Sequence, residues 1–405
     1  MSKTVRVLLM VMCLSLAAAL VIGAYGCAPA SQPATTVRIG LMGGLTGPAA
    51  AAVKTALEED ELMMRYINEK EGGIDGIKLE WKTVDNKGTP DGAVIAYKEL
   101  RDSFKPVLNV VVEDYYYLGA KSQIEADKSV LVTHSALDNR GFVPPGRVFS
   151  MGVPTADAFG AYVKNVLTEM KGKAKIGVVY WDLPSGLQWR AAEAWARKQG
   201  AGFVPVTYSM TAMDLKPQFL QLKDANVDRV WMMATTPQAA LAIRDWRGLG
   251  LAGKIPLSFN EFTESEPLLK IVGDQAEGFY QYRAESPYAD KAQASQMYTG
   301  IWAFGGKTDK WSDNRIVITL KALLGTVIKQ AAADVGRDKI TSEAIFNALN
   351  KATKIDTWGN MEGFGYGPDK RIGVSTIKMH QYTKNGTVGV GGWLTTPRIF
   401  EGVDK

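Results

Sequence analysis

Residues 37–85 read as strand, glycine loop, helix, glycine turn and strand, and few folds accept that opening. The stretch VRIGLMGGLTGP (37–48) is an apolar run that ends in Gly43, Gly44 and Gly47, and Pro48 suits the first turn of a helix. A helical run continues to Lys70, and EGGIDGIKLEWKTVD (71–85) supplies a turn and a second strand. A strand that enters a helix through glycines leaves backbone N–H groups free at the helix start, a place suited to a small anion. The unit predicts an open α/β sheet, whose ligands bind beyond the carboxyl ends of the strands.

The same alternation continues. Strands are predicted at 37–42, 78–84, 106–112, 130–134, 175–180, 203–208, 229–234 and 255–259, with helices at 49–70, 91–104, 118–128, 155–170, 186–199 and 238–249 and a shorter one near 216–223. The βα pattern runs once to about Gly152 and again from about Lys173, which predicts two similar lobes. RVFSMGVP (147–154), AEGFYQYR (276–283) and RIGVSTI (371–377) are short extended segments placed to cross between them. Helices at 312–334 and 342–350 follow the second crossing, and the tail reads as a hairpin with Asn385 and Gly386 in a type I′ turn. Three crossings make a hinge, and a hinge between two lobes makes a cleft that can close on a solute.

Composition removes several classes. With 405 residues, the chain is long enough for two domains with their own cores. Its 47 basic and 42 acidic residues are spread out, with no basic run interleaved with aromatics, so nucleic-acid binding has little support. Lys3 and Arg6 precede an apolar segment (7–22) of export-signal length. GAYGC (23–27) follows and resembles a bacterial lipoprotein processing site, although Ala24 stands where a leucine is usual. Residues 1–26 are then a signal peptide, Cys27 a lipidated first residue, and residues 27–36 a tether; the alternative is a plain secretory signal cut near Ala30. Cys13 would be removed with the signal, so the folded part has no thiol chemistry and no disulfide. No later segment has the roughly 18 uninterrupted apolar residues of a membrane span.

Several of these pieces together resemble the periplasmic leucine/isoleucine/valine-binding protein family, the type I solute-binding proteins of ABC importers. The matching pieces are LTGP (45–48), INEK (67–70), GGIDG (72–76), the strand ending at Asp85 and Asn86, SVLVTHSA (129–136), RVFSMGVP (147–154), VDRVWMMATTP (227–237) and AEGFY (276–280). The resemblance implies a type I periplasmic-binding-protein fold, α/β, with two Rossmann-like lobes joined by a three-crossing hinge. Lobe one would hold 37–150 plus 285–373, and lobe two 151–284 plus 374–405.

Catalytic chemistry has little to stand on. His134 and His380 are the only histidines; His134 and Ser135 are strand neighbours and point to opposite faces. No H-E-x-x-H, G-x-S-x-G or Cys/His metal spacing occurs, and no cofactor or metal is expected.

Binding positions follow from strand ends and from the resemblance. Where the family grips a ligand carboxylate with a serine-rich turn, this chain reads EDYYY (113–117), with Asp114, Tyr115 and Tyr116 at the cleft. The loop THSAL (133–137) places His134, Ser135 and Leu137 at the next contact, with Leu137 where threonine is common. Ser185 and Thr235 occupy positions where the family carries covering aromatics, and Trp181 or Tyr180 could take over that role. FNEF (259–262) offers Glu261 for a ligand ammonium, or Asn260 if the register shifts by one. The resemblance thus implies an extracytoplasmic receptor that binds an amino acid or an aromatic or aliphatic carboxylate and delivers it to a permease and ATPase. The rival reading is a free-standing sensor that signals to a partner receptor.

Overall fold

A strand that is apolar on both faces needs helices on both sides. β1 (Thr36–Gly43) is such a strand: Val37, Ile39, Leu41 and Met42 are all buried. In this computed structural model, which describes residues 35–46, 50–112, 116–182, 184–286, 293–307 and 316–402, β1 lies inside a five-stranded parallel sheet. Its order is β2-β1-β3-β4-β5, with β2 at Lys78–Asp85, β3 at Leu108–Val111, β4 at Leu131–Thr133 and β5 at Val148–Ser150. The segment expected to be an export signal, Cys27, Asp114 and Tyr115 lie outside the described residues.

The second sheet has seven strands. β6 (Ala174–Trp181), β7 (Ala201–Tyr208), β8 (Arg229–Met232), β9 (Leu257–Phe259) and β10 (Tyr280–Arg283) are parallel; β11 (Thr376–Thr383) and β12 (Gly386–Thr395) close one edge as an antiparallel hairpin. The order is β12-β11-β10-β9-β8-β6-β7. All eight predicted strands are present, each within about two residues of its expected ends.

Helix Ala50–Lys70 turns Val53, Leu57, Met63, Met64 and Ile67 onto the first sheet, a spacing of one face per turn. Thr89 caps the helix Pro90–Glu99 by accepting from the Gly92 N–H at 3.0 Å, with proline at its start. Helix Ile316–Val335 is long and apolar enough to cross a membrane, yet 67% of its apolar stretch is buried. It packs against Ala50–Lys70 and Ser342–Lys351 and is a core helix. Two helices were not expected. Ser265–Val272 begins inside the acidic stretch 261–266, and Gln293–Phe304 has only a broken apolar stripe.

The chain changes sheet three times. β5 ends the first sheet, and helix Thr155–Glu169 packs on the second. After β10 the chain returns to helices Gln293–Phe304 and Ile316–Val335, which pack on Ala50–Lys70. Ile372 then bridges Ser150 before β11 rejoins the second sheet. Each predicted crossing segment is therefore part strand and part connection. The hairpin turn needs correction. Thr383 pairs with Gly386, so Lys384 and Asn385 form the loop, and Gly386 alone takes positive φ, at 120°. A type I′ turn would need positive φ at both loop residues.

Beyond β12 the tail packs beside the first crossing. The Phe400 N–H donates to Asp157 Oδ1 at 2.9 Å, and its ring lies 6.1 Å from that of Phe142. One buried residue thus touches a helix on the second sheet and a loop of the first.

Candidate ligand-binding cleft

In each sheet the strand order reverses at one place, and the loops beyond the strand ends part there. In the first sheet this lies between β1 and β3, in the second between β6 and β8. The two sets of loops adjoin a common segment. Ala136, just past β4, bridges Pro154 on the first crossing. Gly152 fits so closely beneath this loop that a Cβ would stand 2.6 Å from His134 O and from Ser135 Cα. Thr155, one residue beyond Pro154, places its hydroxyl 3.5 Å from Glu261 Oε1, just past β9. Residues 152–155 therefore form a floor with the lobe-one loop on one side and Glu261 on the other.

Glu261 is the most unusual group on that floor. The residue is half-buried, but its Oε2 is sealed and has no hydrogen-bond partner. Burial pushes its carboxyl up to about 7, and the nearby Glu285 adds to the rise. Its own backbone amide, Arg283 and Thr155 pull the other way. Arg283 is drawn off by Glu285, 3.2 Å away, with both side chains nearly buried. His380 Nε2 lies 2.9 Å from the Glu285 carbonyl oxygen, which ties the second and third crossings together beneath the site.

Other expected residues fall in different places. Asn260 is fully buried and internal: its Oδ1 accepts from the Ala234 N–H at 3.0 Å and its carbonyl from Gln281 Nε2 at 3.0 Å. Asn260 is thus a brace within its own lobe, while Glu261 is the neighbour that reaches Thr155. The His134 ring is also turned inward. Its Nε2 lies 3.1 Å from Asp60 Oδ2, with side-chain exposures of 6% and 0%, so it is a buried pair and no ligand contact. Ser135 and Leu137 are half-buried at the loop, whose Ser135 carbonyl accepts from the hydroxyls of Thr133 and Ser150. Tyr116 is half-buried beside Gly88, while Tyr117 goes into the core against Phe142, 6.3 Å away. Thr235 precedes helix Thr236–Gly248 and hydrogen-bonds through its hydroxyl to Gln238 Oε1. Ser185 lies in the 3₁₀ turn Pro184–Ala192. Trp181, 5% exposed at the end of β6, lies 6.0 Å from Phe262.

The glycine loop after β1 holds an anion, but an internal one. Asp85 at the end of β2 accepts from the Leu45 N–H at 2.9 Å, the Thr46 hydroxyl at 2.9 Å and the Lys87 N–H at 2.7 Å. Burial acts to raise the Asp85 carboxyl, but the Lys87, Thr46 and Leu45 donors outweigh it and hold it below the usual range. Donors expected for a solute are thus partly committed to Asp85. Thr155 and Phe262 were not singled out in the sequence. Phe262 stands in the quoted FNEF beside Glu261, so strand-end position was the available signal.

A family profile for periplasmic binding proteins matches residues 36–387. The chain belongs to the periplasmic binding protein family. Members of this family are exported solute-binding proteins rather than enzymes. Solved periplasmic binding proteins share the fold. The chain is similar to a branched-chain amino acid ABC transporter protein from Thermus thermophilus with bound valine, with a TM-score of 0.79 and 18% identity over 92% of this chain and 99% of that one. It is similar to a fatty acid ABC transporter substrate-binding protein from Thermomonospora curvata, with a TM-score of 0.74 and 18% identity over 92% of this chain and 95% of that one. A leucine-binding protein from Thermotoga maritima gives a TM-score of 0.69 and 15% identity over 89% of this chain and 99% of that one. No curated protein matches the chain at the level of sequence.

Proposed function

We propose that this periplasmic binding protein is the solute receptor of an ABC importer and that it takes a small amino acid or other carboxylate, aromatic ones included, between its lobes. The observation that carries the reading is the shared floor: the Ser135–Ala136 loop and Glu261 abut residues 152–155 from opposite lobes. A solute seated there touches both lobes and favours their closure. Ser135, Leu137, Tyr116, Thr235, Trp181 and Glu261 remain the contact set, with Asp114, Tyr115 and Ser185 as sequence-based members. Valine, leucine and fatty acids, named for the structural neighbours, share a carboxylate. An acid at the floor adds a partner for an ammonium. The lobes are taken as 37–150 plus 285–373 and 151–284 plus 374–405, Cys27 as the lipid anchor, and a permease with its ATPase as the acceptors of the solute. No catalytic role is assigned.

The test is a thermal-shift screen of residues 28–405 against amino acids, aromatic carboxylates, amides and short peptides. A ligand at ~100 times its dissociation constant stabilises by ~2.7 kcal/mol and raises the melting temperature by a few degrees. Stabilisation by an amino acid or carboxylate is expected. A folded protein that responds to amides or peptides alone contradicts the reading.

A further inference from the structure

Both positions at which the resemblance places a covering aromatic hold small polar residues, Ser185 and Thr235. The structure supplies rings from elsewhere. Trp181 ends β6, Phe262 lies three residues past β9, and their ring centroids stand 6.0 Å apart at 47°. β6 and β9 are not neighbours, because β8 runs between them. Two strand spacings separate them by about 9–10 Å, so the rings must meet over the end of β8. The residue there is Ala234, small and fully buried. It is pinned on both sides: its N–H donates to Asn260 Oδ1 at 3.0 Å, and its carbonyl accepts from the Thr263 hydroxyl at 2.8 Å. A low, fixed residue in the middle lets two rings join into one apolar ledge across three strand ends.

The ledge has an inner and an outer member. Trp181 is 5% exposed, whereas Phe262 is half-buried. Phe262 is therefore the more exposed of the two rings, with Trp181 packed against it. The next residue toward the floor is Glu261, whose Oε2 lacks a hydrogen-bond partner. An aromatic face beside an acid complements a group that carries charge at one end and a broad apolar surface at the other.

We propose that Phe262, backed by Trp181 and given room by Ala234, is the specificity-determining face of the cleft and selects an ammonium ligand with an aromatic or other large apolar side chain. This rests on the reading of the cleft as an amino acid or carboxylate site and narrows it. In that geometry the ligand's ammonium lies toward Glu261 and its side chain along the Phe262 ring.

The experiment is calorimetric titration of the full mature chain with L-phenylalanine, L-alanine and 3-phenylpropanoate, for the wild type, Phe262→Ala and Phe262→Leu. The wild type should bind L-phenylalanine at least about tenfold more tightly than L-alanine. Phe262→Ala should bring that ratio to within about threefold, through a larger loss for L-phenylalanine than for L-alanine, and Phe262→Leu should fall between. Equal losses for both amino acids in Phe262→Ala, with Phe262→Leu no better, overturn the ledge. So does a wild type that binds the two amino acids equally, an outcome that leaves the ammonium site standing. Binding of 3-phenylpropanoate but of neither amino acid supports an aromatic-selecting ledge and removes the ammonium from the proposal. A folded chain that binds none of the three overturns the ledge and the carboxylate reading together.

Discussion

Glu261→Gln should weaken an ammonium-bearing ligand by roughly a hundredfold, about 2.7 kcal/mol, and leave the unliganded protein at least as stable as the wild type. The two halves of this expectation have one cause. Burial pushes the carboxyl up to about 7, so its charged form is held at a cost in the empty protein. Glutamine keeps the shape and removes the charge. The ligand then loses its counter-ion, while the fold loses a buried carboxylate with an unpartnered oxygen.

The pH dependence follows with a definite sign. The carboxyl titrates near 4.5 when exposed and at about 7 in the fold. Between those values the folded protein binds the extra proton, so stability falls as pH rises from about 4.5 to about 7, then levels off. The total is on the order of 3 kcal/mol if no other group compensates. Affinity for a cationic ligand moves oppositely: it rises with pH through the same window, since the ligand needs the ionised form. Glu261→Gln should flatten both curves. Calorimetry for affinity and chemical unfolding for stability, each from pH 4.5 to 8, check the pair. An affinity that is flat with pH in the wild type would place the ammonium elsewhere.

His134→Ala should destabilise the protein by roughly 3–5 kcal/mol, without any need for a ligand. Asp60 is fully buried on helix Ala50–Lys70, and neither carboxylate oxygen has a hydrogen-bond partner of good geometry. The polar group set against it is the His134 ring, whose Nε2 lies 3.1 Å from Asp60 Oδ2. Removing the ring leaves the buried Asp60 carboxyl group beside a cavity instead of a polar edge, which costs far more than the pair contributes over an apolar substitute. Asp60→Asn combined with His134→Ala should therefore recover part of the loss. A double-mutant cycle on the denaturant midpoint measures it. A loss below about 1 kcal/mol for His134→Ala would mean that another group holds Asp60.

These two residues also mark where sequence reading stops. The strands were legible because runs such as VRIGLMG and IGVVYW are apolar on both faces, and glycine turns separate them. The order of lobes was legible because the βα pattern restarts after residues 147–154. A partner brought from another element is not written locally: nothing in THSAL says that His134 meets Asp60 on the first helix. FNEF left a one-residue choice between Asn260 and Glu261, and the bonds of Asn260 to Ala234 and Gln281, which commit it internally, are not written in that string. Phe262 was hidden for the same reason, since its contact with Trp181 depends on a strand order in which β8 lies between β6 and β9. Helix Ser265–Val272 shows how composition misleads. Glu264 and Glu266 look solvated, yet Leu268 is fully buried and carries the helix onto the core.

The most direct test of a site shared by both lobes is hydrogen–deuterium exchange on the mature chain, with and without a saturating concentration of whichever amino acid or carboxylate stabilises it most. Simultaneous protection of residues 133–137 and of residues 260–262 is the predicted result. Protection confined to one lobe, or to neither segment while the ligand is bound, would contradict it.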